Sequence, residues 1–175
     1  DVFFRRLWHD RVVFLGGGNS SLGLARYDSL GAHFYDDPGL FRRILHERQA
    51  RGLLTAGFSA GSDQRGEFVQ EAAWVPMPVP TGVGLAKNVM TTLHHEWGRD
   101  EDLHEIAQAF PRCMVFGLPN VSGIAVDHGV LPSGNIWQLI EVIIDNSWDI
   151  PKDNFHIKTR QGMKVEHAYG DGRTW

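Results

Sequence analysis

Apolar and polar positions along this chain follow two different periods. Within residues 40–51, Leu40, Phe41, Ile44 and Leu45 recur at helical spacing, with Arg42, Arg43, Glu47 and Arg48 largely opposite. This predicts an amphipathic helix that Gly52 ends. On either side stand residues 11–15, with the continuous apolar run Val12 to Leu15, and residues 53–56, which predict strands, the first of them buried. Strand, helix and strand in this order predict a parallel pair joined by a right-handed crossover. Residues 21–30 predict a further short helix, and residues 31–39, with Asp36, Asp37 and Pro38, a loop. Val2, Phe3, Phe4 and Leu7 share one side of a helical projection, with Arg5 and Arg6 opposite.

Beyond the second strand the pattern shortens. Residues 89–93 predict a strand and 102–110 a helix. Residues 113–118 and 123–126 predict strands broken at Pro119-Asn120, residues 137–144 a strand, and 155–158 and 163–167 short strands. Alternating Pro76, Pro78 and Pro80 exclude a central strand from residues 68–80. No repeat, low-complexity tract or linker interrupts the chain, so residues 1–175 read as a single α/β domain.

Two turns carry more than connectivity. The strand at 53–56 runs into Gly57-Phe58-Ser59-Ala60-Gly61, the Gly-x-Ser-x-Gly pattern of a nucleophile elbow. There a strand bends sharply into a helix and lifts a serine hydroxyl clear of the sheet. Gly57 and Gly61 are needed where strand and helix pass each other without room for side chains. The other strand runs into Gly16-Gly17-Gly18-Asn19-Ser20, a turn whose backbone can approach another group closely. It is not Gly-x-Gly-x-x-Gly and lacks the Lys-Ser/Thr of a phosphate loop, which excludes a nucleotide site.

A serine nucleophile needs a base. Of nine histidines, His94 and His95 stand out: an apolar segment delivers them, and Glu96-Trp97-Gly98-Arg99-Asp100-Glu101 follows. Neighbours on a strand face opposite ways, so the two do not share a metal ion, and no metal or other cofactor is expected. Cys113, the single cysteine, precedes an apolar run and reads as a buried core thiol.

Composition narrows the setting. The chain has 42% apolar and 22% charged residues, as an ordinary globular protein does. A net charge of −4 argues against a general nucleic-acid binder. No apolar run approaches the ~20 residues that cross a bilayer, so no membrane partner is expected. One cysteine permits no internal disulfide, which suits a reducing compartment such as the cytoplasm. The first residue is Asp1 and not methionine, which leaves open a removed leader.

With these features in order, the chain resembles the dipeptidase E and cyanophycinase group of serine peptidases, related in fold to class I glutamine amidotransferases. The resemblance rests on Gly17-Gly18-Asn19-Ser20 after a strand, on the elbow from Gly57 to Ser62, on Gly84-Leu85 leading to His94, and on the strand break near Gly117 to Ser122. It spans residues 7–130. It implies a three-layer α/β/α fold with a mostly parallel sheet. Ser59 would be the nucleophile and His94 its base, with the N–H groups of Gly18 and Ala60 as the oxyanion hole. Asn19 and Arg99 would be substrate-binding residues. The implied activity is hydrolysis of peptide or isopeptide bonds in small or acidic peptides through an acyl-enzyme on Ser59. The alternative is a weak or inactive relative that serves as a binding or assembly protein.

Two departures from the family pattern bear on this. One branch places an acid just before Met-Pro-Ile/Val, but here Pro76 precedes Met77-Pro78-Val79. In the other branch the acid-bearing position matches Asn120, an amide that accepts from a histidine N–H without stabilising an imidazolium as a carboxylate does. Glu71 is the competing third member. The family also has opening strands that this chain lacks. Phe3, Phe4 and Trp8 are therefore expected to have no core of their own. They would pack against a second copy in a homo-oligomer or against a missing N-terminal segment.

Overall fold

The computed structural model describes residues 1–74, 81–95, 99–120, 122–144, 155–160 and 163–168. The chain is mixed α/β, and its contacts cluster into two compact units, Asp1–Leu93 and His94–Trp175.

The first unit opens with helix α1, Val2–His9, whose N-terminus is capped by Asp1: the carboxylate accepts from the N–H groups of Phe3 and Phe4, each at 3.1 Å. Strand β1, Val12–Leu15, is followed by helices α2, Ser20–Tyr35, and α3, Leu40–Gln49, and then by strand β2, Leu54–Gly57. β1 and β2 pair in parallel, from Val12 opposite Leu54 to Leu15 opposite Gly57. Helix α4, Ala60–Asp63, a 3-10 turn, Gln70–Ala73, and strand β3, Val89–Leu93, complete the unit.

The apolar face of α3 is buried as its spacing requires, with Ile44 and Leu45 fully enclosed. Phe4 and Leu7 of α1 join the same core, along with Leu15, Leu24, Val69 and Val83. This corrects the expectation that Phe4 has no core of its own, while Trp8 is exposed. Phe4 is buried in its own unit, and Phe3, though half-exposed, stacks on Tyr27 and Phe41. Arg48 donates to the Leu7 carbonyl at 2.6 Å and ties α1 to α3.

Helix α2 runs five residues past the sequence expectation, through Gly31. Gly31 does not end the helix because the following chain folds back over it, and a Cβ there would strike the Asp37 carbonyl. The helix ends instead at Asp36, in the left-handed region at φ 52°.

In the second unit, helix α5, Asp100–Ala109, precedes strands β4, Met114–Leu118, β5, Ser122–Val130, β6, Ile136–Ile144, β7, Phe155–Arg160, and β8, Met163–Ala168. Leu103, Ile106, Cys113, Val115 and Phe116 are buried, so Cys113 is a core thiol. β5 and β6 form an antiparallel ladder from Ser122 opposite Ile144 to Val130 opposite Ile136, and β7 and β8 are likewise antiparallel. A connection of five residues cannot make the crossover that parallel strands need, so the β5–β6 turn dictates the direction. Residues 75–80 and 96–98, with Pro76, Met77-Pro78-Val79 and Glu96, lie outside the described residues. Among the described residues no helix is long and apolar enough to cross a membrane.

Candidate active site

Ser59 stands between the end of β2 and the start of α4 with φ 50° and ψ −130°. A non-glycine residue in such a sparsely populated region costs about 1–3 kcal/mol and persists only where its surroundings enforce it. Here main-chain contacts do so. The Phe58 N–H donates to the Leu15 carbonyl at 3.2 Å, and the Gly61 N–H to the Phe58 carbonyl at 3.0 Å. The Ser59 carbonyl accepts from the Ser62 N–H at 2.8 Å and the Ser62 hydroxyl at 2.7 Å. A Cβ on Gly57 would strike the Gly61 carbonyl, and one on Gly61 would strike the carbonyl of Leu15. Both glycines of the motif are thus required by backbone approaching backbone. Ser59 is the N-cap of α4 and makes no side-chain cap bond.

The glycine turn after β1 lies against this bend. A Cβ on Gly17 would sit 3.3 Å from both the Phe58 ring and Ser59 Cβ. Gly18 has φ +133°, a conformation that only glycine adopts readily. Asn19 caps α2, its side-chain oxygen accepting from the Leu22 N–H at 2.7 Å.

Behind the serine is a buried polar layer that no sequence motif marks. Asp63, at 1% exposure, accepts from the Gln70 N–H at 2.9 Å. Burial pushes its pKa up to about 7; hydrogen bonds from the Ser20 hydroxyl and the Gln70 N–H oppose the rise, and the charge of Glu71 adds to it. Gln64, also buried, donates to the Ser20 carbonyl at 2.9 Å. The Gln70 side chain accepts from the Leu93 N–H at 3.0 Å. Nearby, Arg65 donates to the Thr55 carbonyl at 3.0 Å, and burial lowers its pKa. Glu71 holds one carboxylate oxygen buried without a partner among the described residues. The available sequence signal was the pair Asp63-Gln64, polar where a short helix between strands would otherwise be apolar.

His94 is the first residue of the second unit. It leaves the strand direction of β3 at φ 53°, and its Nδ1 lies 2.8 Å from Asn120 Oδ1. With the amide oxygen as acceptor, Nδ1 carries the proton and Nε2 is the basic nitrogen. The next residue, His95, is anchored through its N–H to the Leu118 carbonyl at 3.1 Å. A Cβ on Gly117 would come within 2.6 Å of the His95 ring, so this glycine makes room for the imidazole. Arg99 precedes α5 and is held by Asp102, with Nε and Nη2 donating at 2.8 and 2.6 Å. The structure therefore gathers Ser59, Gly18, Ala60 and Asn19 in the first unit, and His94, Asn120 and Arg99 in the second. Glu71 belongs to the first unit, whereas the Nδ1 partner of His94 is Asn120.

No protein-family model matches this chain, and no curated protein does. Among solved structures the chain is similar to a crystal structure of a Listeria monocytogenes EGD-e protein named provisionally as a peptidase E. The two share 17% identity and a TM-score of 0.47, over 77% of this chain and 62% of that one. The chain thus spans less than two thirds of the length of that protein.

Proposed function

We propose that this protein is a serine-type hydrolase of peptide or isopeptide bonds that works through an acyl-enzyme on Ser59. The observation that carries the reading is the backbone of Ser59, held at φ 50° and ψ −130° by glycines that admit no side chain. Strain of this kind is retained where a hydroxyl must be presented.

In the proposed mechanism, Ser59 Oγ attacks the scissile carbonyl carbon and passes its proton to His94 Nε2. Asn120 holds the imidazole in the tautomer that leaves Nε2 free to accept. Negative charge on the carbonyl oxygen is met by the N–H groups of Gly18 and Ala60. Collapse breaks the C–N bond, and the amine leaves with the proton from His94. Water, deprotonated by the same nitrogen, then releases the acid and regenerates Ser59. The substrates proposed are small peptides. An acidic side chain on them would meet Arg99, which must then exchange Asp102 for the substrate carboxylate.

A second reading, a weak or inactive relative that binds or assembles, is favoured by the amide at Asn120 in place of an acid. One experiment separates the two. Stoichiometric labelling by a fluorophosphonate that maps to Ser59, with hydrolysis of Asp-X dipeptides, β-aspartyl-arginine or simple esters abolished by Ser59→Ala, supports the hydrolase. Undiminished hydrolysis by a folded Ser59→Ala protein excludes it, and an unlabelled Ser59 favours the inert relative.

A further inference from the structure

We propose that Asp63 is the positioning residue of the Ser59 site: from behind the serine it joins the elbow to the glycine turn and to the end of β3. The inference rests on the hydrolase reading of Ser59. Three segments meet at this carboxyl. Asp63 is the last residue of α4, one helical turn after Ser59. Ser20, whose hydroxyl faces the carboxyl, directly follows Asn19 and lies two residues from Gly18. Gln70, whose N–H donates to Asp63 at 2.9 Å, reaches with its own side chain to the Leu93 N–H at 3.0 Å. Leu93 is the residue before His94. Gln64 tightens the same node, donating to the Ser20 carbonyl at 2.9 Å. Its amide packs so closely on α2 that a Cβ on Gly23 would strike it.

The chemistry of the node explains why a hydrogen-bond acceptor stands there. The surroundings offer donors, the Gln70 N–H and the Ser20 hydroxyl, and a carboxyl oxygen accepts them at any protonation state. An apolar residue of the same volume would leave both donors buried without partners, a loss that the segments relieve by moving apart. The segments in question carry the nucleophile, a proposed oxyanion donor and the lead-in to the proposed base. A misplacement of ~1 Å in such groups costs about a hundredfold in rate.

The test compares Asp63→Leu with Asp63→Asn in the full chain, reading the second-order rate of fluorophosphonate labelling at Ser59 beside the thermal midpoint. Asp63→Leu is expected to slow labelling about thirtyfold at a temperature well below its own thermal midpoint, where the protein is folded. Asp63→Asn, which keeps an acceptor for the Gln70 N–H, is expected to restore the rate to within about threefold. Labelling of Asp63→Leu at the parent rate overturns the proposal, and so does an Asp63→Asn protein as slow as Asp63→Leu. If Asp63→Leu does not fold, Ser20→Ala removes the donor from the other side of the node. A fivefold or greater slowing then supports the proposal, and an unchanged rate overturns it. A parent protein whose Ser59 never labels sinks the hydrolase reading and this inference together. Labelling that ignores Asp63 and Ser20 sinks the inference alone.

Discussion

Asn120 and Asp63 show how differently single polar residues are used in this chain. Asn120 Oδ1 is 2.8 Å from His94 Nδ1, and a neutral amide there fixes a tautomer without compensating a positive charge. Asn120→Asp is therefore expected to raise turnover about tenfold, and Asn120→Ala to lower it by about two to four orders of magnitude, as steady-state rates on one ester would show. If Glu71→Gln is the damaging change and Asn120→Ala is silent, Glu71 takes the role. Asp63 acts on stability. Burial raises its pKa to about 7 from an ordinary 3.8, so the folded protein keeps a proton that the unfolded chain has lost. Its contribution is fully present below pH ~4, declines as the pH rises to ~7, and is gone above that. A rise of this size corresponds to something on the order of 4 kcal/mol. Asp63→Asn should thus be the more stable protein at pH 8 by a few kcal/mol and no more stable at pH 4. Urea midpoints at the two pH values check this, and equal differences at both would contradict it.

At the level of elements, the bend at Ser59 is made where the start of α4 passes close to the ends of β1 and β2. The elbow was legible in the sequence because its requirements are local: Gly57 and Gly61 sit at fixed offsets from Ser59, and their reason is collision with the Gly61 and Leu15 carbonyls. Gly61→Ala is expected to cost about 3 kcal/mol in a chemical denaturation curve and to slow Ser59 labelling, since the obstructing atom is backbone and cannot rotate away. An unchanged midpoint would mean that α4 is not held as closely as described. Features decided by distant contacts were not legible. The end of α2 was expected at Leu30, yet the chain beyond folds over Gly31 and the helix continues to Tyr35. In the buried polar layer the Gln70 N–H donates to Asp63, Gln64 donates to the Ser20 carbonyl and the Gln70 side chain accepts from the Leu93 N–H, and no spacing rule connects these residues.

For the molecule as a whole, the strands at β1 and β2 turn a set of apolar side chains outward. Phe14 is 65%, Leu54 62%, Phe58 57% and Val12 49% exposed, with Phe14 and Phe58 in ring contact. Such a cluster favours association in water. We expect light scattering on this chain to report a dimer or larger species that Phe14→Lys shifts toward monomer; a parent that is already monomeric would refute it. Of the N-terminal aromatics, Phe4 enters a core that its sequence neighbours do not reveal, whereas Trp8 stays 36% exposed. The bend at Ser59 has a different consequence for the tolerance of the chain to change. Its restraints are mostly carbonyls and N–H groups of Leu15, Phe58, Gly61 and Ser62, which substitutions elsewhere than Gly57, Gly61 and Ser62 leave in place. Drift in the apolar interior, at Leu24 or Ile44 for instance, would be felt in how long the fold survives and not in where the serine stands. The backbone geometry at Ser59 is insulated from changes in the apolar interior.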